Sequence, residues 1–497
     1  QLSLVRVLLP EAEIHPDVGF LFGKGETETS PEEVMRRLVQ GWMEVLGPTT
    51  VSDLAQRLGF SGTKVEQALL ALEAGGVVLR GRFTQSPGSE KEIEWCERAL
   101  LSRIHRLTLG QLRKEIEPVT AADFMRFLLC WQRVQPNSQL RGREGVLEVI
   151  GQLQGLELPA PAWEQFILPA RIANYGPDDL ESLCLAGAVT WGRVKVGGGS
   201  GDEERQALLD SNSQKRRRRR RTFTRVAPIT FILREDLSYF VEGRDQAHEL
   251  NGDVSYSART VARYLKDSGA SFLADIARGT GLLRSQAEEA LWELVARGVV
   301  TGDGIAGLRV LLTPEVKRQP GRRLRLLAGG LSMERLMPVG RWSLWAIRNH
   351  SPILRPEQKS EFLARQLLRR YGVVFRDLLA RENLVLSWRM LVEIYRRLEA
   401  RGEIRGGRFV SGLFGEQYAL PEAVETLRRV RRSRGEAETV IVSSADPLNL
   451  VGIVTPGERV SPYSHQSIAY AEGVPVDIGP LGAVRARLAQ SQASSGD

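Results

Sequence analysis

Asp53-Leu54-Ala55, Leu69, Leu72, Ala74 and Gly76, followed by Val77-Val78-Leu79, form the stretch that decides the fold, because its grammar returns twice more. The second copy reads Asp275-Ile276-Ala277, then Leu291, Leu294, Ala296, Gly298 and Val299-Val300, with the same Asp-to-Gly spacing. The third reads Asp377-Leu378-Leu379, then Tyr395, Leu398, Ala400, Gly402 and Ile404, with two more residues between its Asp and Gly. Apolar positions at helical spacing, ended by a glycine and then a strand-like run, predict helix, turn, helix, glycine stop and β-hairpin. That is the winged-helix plan. Gly59-Phe60-Ser61-Gly62 and Gly279-Thr280-Gly281 supply the small residues of the sharp turn, and Glu382-Asn383 takes that place in the third copy. The units expected to superpose are 51–83, 272–304 and 375–409.

A weaker fourth copy is read at Leu183-Cys184-Leu185-Ala186-Gly187-Ala188-Val189, after a helix around Trp163 to Ala173. A helix-rich stretch from Glu94 to Val134 is a candidate fifth module. From Gly197 to Arg221 the chain turns Gly-, Ser- and Arg-rich, a composition that reads as a flexible linker. After Arg434, short runs at Val440 to Val442, Leu450 to Val454 and Ser467 to Tyr470 predict a small β-domain, barrel-like in the simplest reading. The expected class is α+β, mainly helical, with tandem winged helices and a β-rich C-terminal domain. The expected segments are 1–30 (N-terminal), 31–93 (winged helix), 94–196 (helical, with one or two further modules), 197–225 (linker) and 226–316 (winged helix), then 317–358 (connector), 359–432 (winged helix), 433–480 (β-rich) and 481–497 (tail).

At 497 residues, with 42% hydrophobic and 26% charged residues, the chain reads as globular and multidomain. The net charge of +8 points to an acidic partner, but it is concentrated. Lys215 and Arg216 through Arg221 carry seven positive charges, and without them 61 of the 68 basic residues face 60 acidic ones. The body is nearly neutral, so nucleic-acid binding must be argued from pattern. The hexa-arginine run is either an electrostatic clamp on phosphates or a solvated linker block.

Cys96, Cys130 and Cys184 are scattered and odd in number, and the five histidines make no ligand spacing, so a metal-free, cofactor-free cytoplasmic protein is expected. No apolar run is long enough to span a membrane. The chain begins at Gln1 and is read as part of something larger. No GxxxxGK[ST] loop is present, and Phe22-Gly23-Lys24-Gly25 lacks its spacing and hydroxyl.

In a winged helix the second helix of the motif enters the major groove and the wing tracks the backbone. Candidate contacts are therefore Lys64 and Gln67, Arg284 and Gln286, and Arg389 on the helices, with Arg80, Arg82, Arg405 and Arg408 on the wings. Winged helices also pack together as spacers, so some of these are expected to touch no nucleic acid. Within Ser443-Ser444-Ala445-Asp446-Pro447-Leu448-Asn449-Leu450, Asp446 and Asn449 flank a proline-fixed turn. A buried Asp there would suit glycosylase chemistry, activating water or stabilising a sugar cation, and equally suits a turn cap.

Several stretches resemble the C-terminal half of the bacterial Lhr (large helicase-related) proteins. They are Glu94-Trp95-Cys96-Glu97 through Ile104-His105-Arg106, Glu117-Pro118-Val119 through Phe127, Trp131-Gln132, Pro228-Ile229-Thr230 through Leu237, Leu291 through Val295, Gly415 through Pro421, and Asp446 through Leu450. The resemblance implies a region that follows an ATP-driven helicase core in the full-length chain, acts on DNA in repair, and assembles as a homo-oligomer, expected as a tetramer. Such regions are also similar in plan to AlkZ-type winged-helix DNA glycosylases, in which a Pro-Phe-Asp-Asn-Leu stretch resembles Asp446 through Leu450. Two other classes of function stay open: a base-excising domain, and a structural scaffold whose recognition helices are covered by protein.

Overall fold

The computed structural model describes residues 7–8, 30–84, 92–114, 116–194, 228–241, 254–312, 340–345, 354–382, 386–433 and 439–494. The hexa-arginine run and the Phe22–Gly25 stretch lie outside them. The chain divides into two compact units, Gln1–Glu115 and Ile116–Asp497.

The first unit holds one winged helix. Helix α1 (Pro31–Met43) starts on a Ser30 cap, with Pro31 in the first turn where its missing N–H costs nothing. After β1 (Thr49–Thr50) comes α2 (Val51–Leu58), which ends on Gly59 in the left-handed region. Helix α3 (Gly62–Ala74) follows, then β2 (Val78–Gly81) and β3 (Glu94–Glu97), and the sheet runs β1-β3-β2. Val39, Leu54, Val65, Leu69, Leu72 and Trp95 make its core. Glu94–Glu97 thus closes this sheet instead of opening a fifth module, because Trp95 is needed to roof the three helices. Helix α4 (Arg98–Lys114) continues from it.

The second unit opens with α5 (Ala121–Trp131) and then builds three winged helices. The first of them has α6 (Gly142–Leu153), β4 (Leu158–Pro159) and a helical run of three pieces, Ala160–Ala162, a π-turn Trp163–Ile167 and Leu168–Arg171. It is completed by α7 (Pro177–Leu185), β5 (Val189–Gly192) and β6 (Pro228–Leu233). Gly192 pairs with Thr230, so the segment expected as a linker, which lies outside the described residues, connects two paired strands of one sheet. The short helix α8 (Leu237–Val241) follows.

The next module has α9 (Tyr256–Ser268), α10 (Leu273–Thr280), α11 (Arg284–Ala296), β7 (Val300–Gly302), α12 (Ala306–Leu312) and β8 (Trp342–Leu344). The last has α13 (Pro356–Tyr371), β9 (Val373–Val374), a 3-10 turn Arg376–Ala380, α14 (Trp388–Ala400), β10 (Arg405–Gly407), β11 (Gln417–Ala419) and α15 (Pro421–Arg432). Its sheet runs β10-β11-β9.

One capping device marks all four modules. Gly76, Gly187, Gly298 and Gly402 each have φ between +69° and +75°. Each donates to a carbonyl three residues back, at 2.8–3.0 Å, while the next residue donates five back, at 2.9–3.0 Å. Such a left-handed stop satisfies the last helical carbonyls and turns the chain into the wing strand.

Strands β12 (Val440–Ser443), β13 (Ser467–Ala471) and β14 (Val474–Gly479) form an open antiparallel sheet, with α16 (Leu481–Ser494) against it. The barrel expectation is corrected: three strands of four to six residues leave both edges unpaired and do not close. Leu450 to Val454 is a turn with a single Val451–Thr455 bridge, not a strand. Val440, Val442, Ile468 and Tyr470 join the core of the last winged helix, so the sheet has no separate interior.

Candidate nucleic-acid interface

The second helix of the helix-turn-helix presents a different outer face in each module. In the first unit, α3 buries Val65, Ala68, Leu69 and Leu72 and leaves Thr63, Lys64, Glu66, Gln67 and Leu70 in solvent. Its wing strand carries Arg80, ion-paired to Glu73 at 3.0 Å and half exposed, and the exposed Arg82. Glu94 accepts from the Phe83 and Thr84 amides at 2.5 and 2.8 Å and so fixes the root of the wing. Burial pushes its carboxyl up, but donation from Thr84 and Phe83 outweighs this and holds it below the usual carboxylate range.

The two central modules differ from the first unit: α11 is covered over its second half, and α7 is partly open but acidic. In α11, Ala290 through Ala296 are all buried, including Trp292 and Glu293. Glu293 accepts from the Ser255 amide at 3.1 Å, and Arg193 donates to the Ala296 carbonyl at 2.8 Å. Arg284, Ser285 and Gln286 in the first turn and Glu289 in the second reach solvent, with Glu288 half-buried, so the exposed positions beyond the first turn are acidic. Gln286 turns back to accept from the Leu283 amide at 3.0 Å, a helix-capping role, and Arg284 lies against Glu288 at 3.4 Å. Helix α7 begins Pro177-Asp178-Asp179 and carries Glu181, which accepts from the amides of Ile305 and Ala306 at 3.0 and 2.9 Å. The acidic first turn of α7 repels phosphate, and Glu181 behind it is engaged in capping a neighbouring helix.

Helix α14 is the open one of the second unit. Ser387 caps it, Leu391, Ile394, Tyr395 and Leu398 point inward, and Arg389, Met390, Glu393, Arg396 and Arg397 are exposed. Arg389 is 90% exposed, with Glu393 3.6 Å away. Arg405 and Arg408 are exposed on the adjoining wing, where Glu399 accepts from the Gly406 amide at 3.1 Å and fixes the strand to the helix. Arg396 reaches Glu416 on the returning side of the wing at 2.6 Å. The structure thus groups Arg389, Arg405 and Arg408 on one module, Lys64, Gln67, Arg80 and Arg82 on another, and sets Arg284 and Gln286 apart on a largely covered helix.

Asp446 and Asn449 are buried. Arg171 grips both Asp446 oxygens at 2.8 and 2.9 Å, and Oδ1 also accepts the Leu448 amide at 2.9 Å. Arg171 further donates to Gln132 Oε1 at 2.9 Å, and Gln132 Nε2 to the Arg370 carbonyl at 3.0 Å. Arg370 pairs with Glu382, which accepts the Tyr371 hydroxyl at 2.8 Å. Burial pulls the Arg370 guanidinium down, yet the Glu382 charge holds it above its ordinary value. Asn449 Nδ2 donates to the carbonyls of Ser444 and Val460, both at 2.8 Å. Asp446 and Asn449 therefore stand inside a polar seam between modules. Sequence reasoning missed Arg171, Gln132 and Arg396, because an isolated Arg or Gln on an amphipathic helix carries no local signal.

Among the described residues no cluster of His, Cys, Asp and Glu is arranged to hold a metal ion, and no helix is long and apolar enough to cross a membrane.

Residues 119–209 and 354–439 each match a family described as large helicase-related protein, winged-helix domain. The chain is 28% identical over 443 residues to a Mycolicibacterium smegmatis protein named "Lhr helicase/ probable uracil glycosylase". It is 27% identical over 457 residues to an Escherichia coli protein named "Lhr helicase/uracil glycosylase". Each alignment takes in 85% of this chain and 27% of the relative, so the chain spans about a quarter of those proteins. Streptomyces sahachiroi DNA glycosylase AlkZ has a TM-score of 0.40 at 12% identity, over 72% of this chain and 87% of that one.

Proposed function

Starting from a chain that carries Lhr-type winged-helix domains, we propose that it is a nucleic-acid-gripping region of an Lhr-type helicase, in which the modules divide the labour. The outer winged helices, with open helices α3 and α14, contact nucleic acid. The two central ones, α7 and α11, are packing elements. The observation that carries this reading is the contrast between α14, where Arg389, Arg396 and Arg397 are exposed beside Arg405 and Arg408 of its wing, and α11, which is buried from Ala290 through Ala296 and shows Glu289 to solvent before that. Guanidinium groups on an open helix and wing suit paired phosphate oxygens.

Asp446 and Asn449 are proposed as structural. A general base must reach the substrate's proton through a free oxygen, and the Asp446 oxygens are taken by Arg171 and the Leu448 amide. The base-excision activity in the relatives' names is therefore not assigned to this carboxylate.

The test is fluorescence anisotropy with a labelled DNA duplex and a labelled single strand. Arg389→Ala with Arg405→Ala and Arg408→Ala should weaken binding about tenfold or more, while Ser285→Ala with Gln286→Ala leaves it unchanged. Equal affinity for all three proteins would overturn the division of labour.

A further inference from the structure

Phe414 stands at the tip of the wing of the last module and is 91% exposed, more than any other large apolar side chain among the described residues. Its position is built. Gln417, fully buried, accepts from the amides of Phe409 and Val410 at 2.8 Å each and donates to the Val410 carbonyl at 2.9 Å. Val119 clamps the same stretch: its amide donates to the Phe409 carbonyl at 2.8 Å, and its carbonyl accepts from the Ser411 amide at 2.8 Å. On the returning side Glu416 is held by Arg396 at 2.6 Å and by the Tyr418 hydroxyl at 2.5 Å.

Between these anchored roots the chain turns through Gly412 and Gly415, at φ 79° and 94°, a conformation that suits glycine. Leu413 faces the core of the module, and its neighbour Phe414 faces out. The wing thus holds a phenyl ring in water on a braced stalk.

The surroundings select the occupant. Arg405 and Arg408 are exposed on the same wing, Arg389 and Arg397 on the adjoining helix, and Arg396 is tied to the residue two positions from the ring. An exposed aromatic ring on a wing and module that also present exposed guanidinium groups matches what an unpaired nucleotide offers: a flat π-surface for stacking and a phosphate. Bases within an intact duplex are stacked on each other and leave no such face.

We propose that Phe414 stacks on an unpaired nucleobase of a single strand while Arg405 and Arg408 hold the neighbouring phosphates. The proposal rests on the nucleic-acid reading above and adds the strand state that this wing selects.

The experiment measures anisotropy of the full chain with a labelled oligodeoxythymidylate and with a blunt DNA duplex, alongside sedimentation to follow mass. Phe414→Ala should weaken single-strand binding about tenfold, leave duplex binding and mass unchanged, and be rescued by Phe414→Trp. Unchanged single-strand affinity in Phe414→Ala, when Arg405→Ala with Arg408→Ala does lose affinity, would overturn the stacking alone. An equal loss on duplex would also overturn it, and a change in mass would assign the ring to a second copy instead. Absence of binding by the unmodified chain to either probe would overturn both the stacking and the reading it rests on.

Discussion

Arg171 and Asp446, 275 residues apart, close a bidentate ion pair with side-chain exposures of 0% and 1%. One residue ends the second helical run of a winged helix and the other turns the chain out of β12. Such a pair fixes how the C-terminal sheet seats against that module. Removing one partner strands a charge in a medium that cannot solvate it. Arg171→Ala or Asp446→Asn should each destabilise the chain by ~3–5 kcal/mol, whereas Arg171→Met with Asp446→Leu recovers most of the loss. Denaturation midpoints followed by tryptophan fluorescence check this; a small effect of both single substitutions would refute the clamp.

The repeated glycine stops make a second expectation quantitative. A Cβ at Gly402 would meet nothing within 4 Å, so any cost of Gly402→Ala is conformational, from φ +75°. A loss of ~1–2 kcal/mol is expected, with Gly402→Asn milder because Asn tolerates the left-handed region. Gly41, exposed in the last turn of α1, also has open space, and there Gly41→Ala should stabilise by ~0.5 kcal/mol. Opposite signs for two Gly-to-Ala changes in thermal melts would locate the effect in φ, and equal signs would exclude that.

These glycines also explain how much was legible in advance. The Asp-to-Gly spacing located α2 with α3 and α10 with α11, because apolar period and stop coincide there. In the last module Asp377 falls in a 3-10 turn, and the turn expected at Glu382-Asn383 lies partly outside the described residues. The module of α6, α7, β5 and β6 was nearly hidden. Pro161 and Pro169 break its middle helix around a π-turn, and the segment between β5 and β6 has a composition that read as a linker. The open or covered state of each recognition helix was only partly legible: Ala290-Leu291-Trp292-Glu293-Leu294-Val295-Ala296 is apolar almost all round where α14 has Arg396 and Arg397, but which residues cover α11, Ser255 and Arg193 among them, is set by distant packing. The barrel failed for a local reason: Leu450 to Val454 is apolar enough for a strand but is tied into a turn by Gly452, at φ 72°.

Cys184 offers a probe of the core. Burial pushes its thiol up to about 12, and the Glu181 and Glu164 charges add to this. In the unfolded chain the thiol returns to about 9, so it ionises there first. Its contribution to stability is complete below pH ~9 and is lost as the pH rises toward ~12. A thiol reagent at pH 8 should leave Cys184 unmodified in the folded chain and modify it in denaturant. Peptide mapping after labelling checks this, and rapid modification of the native protein would contradict the burial.

The salt dependence of DNA binding separates the arginine-rich segment between β5 and β6 from the folded contacts. If Lys215 to Arg221 supply most phosphate contacts, deleting them should flatten the slope of log affinity against log salt by several units, each neutralised phosphate contributing about 0.9 on duplex. Because Gly192 and Thr230 pair across β5 and β6, the deletion shortens the connection and leaves the module's sheet intact. The alternative places the contacts on α14 and its wing, so that the deletion barely alters the slope while Arg405→Ala with Arg408→Ala lowers it by about two units. We expect the second outcome. Arg405 lies on, and Arg408 directly follows, a strand fixed by Glu399 and the β10–β11 pairing, so a set backbone presents both guanidinium groups. Titrations at several salt concentrations with the three proteins decide between them, and a slope that collapses only on the deletion would move the interface to that segment.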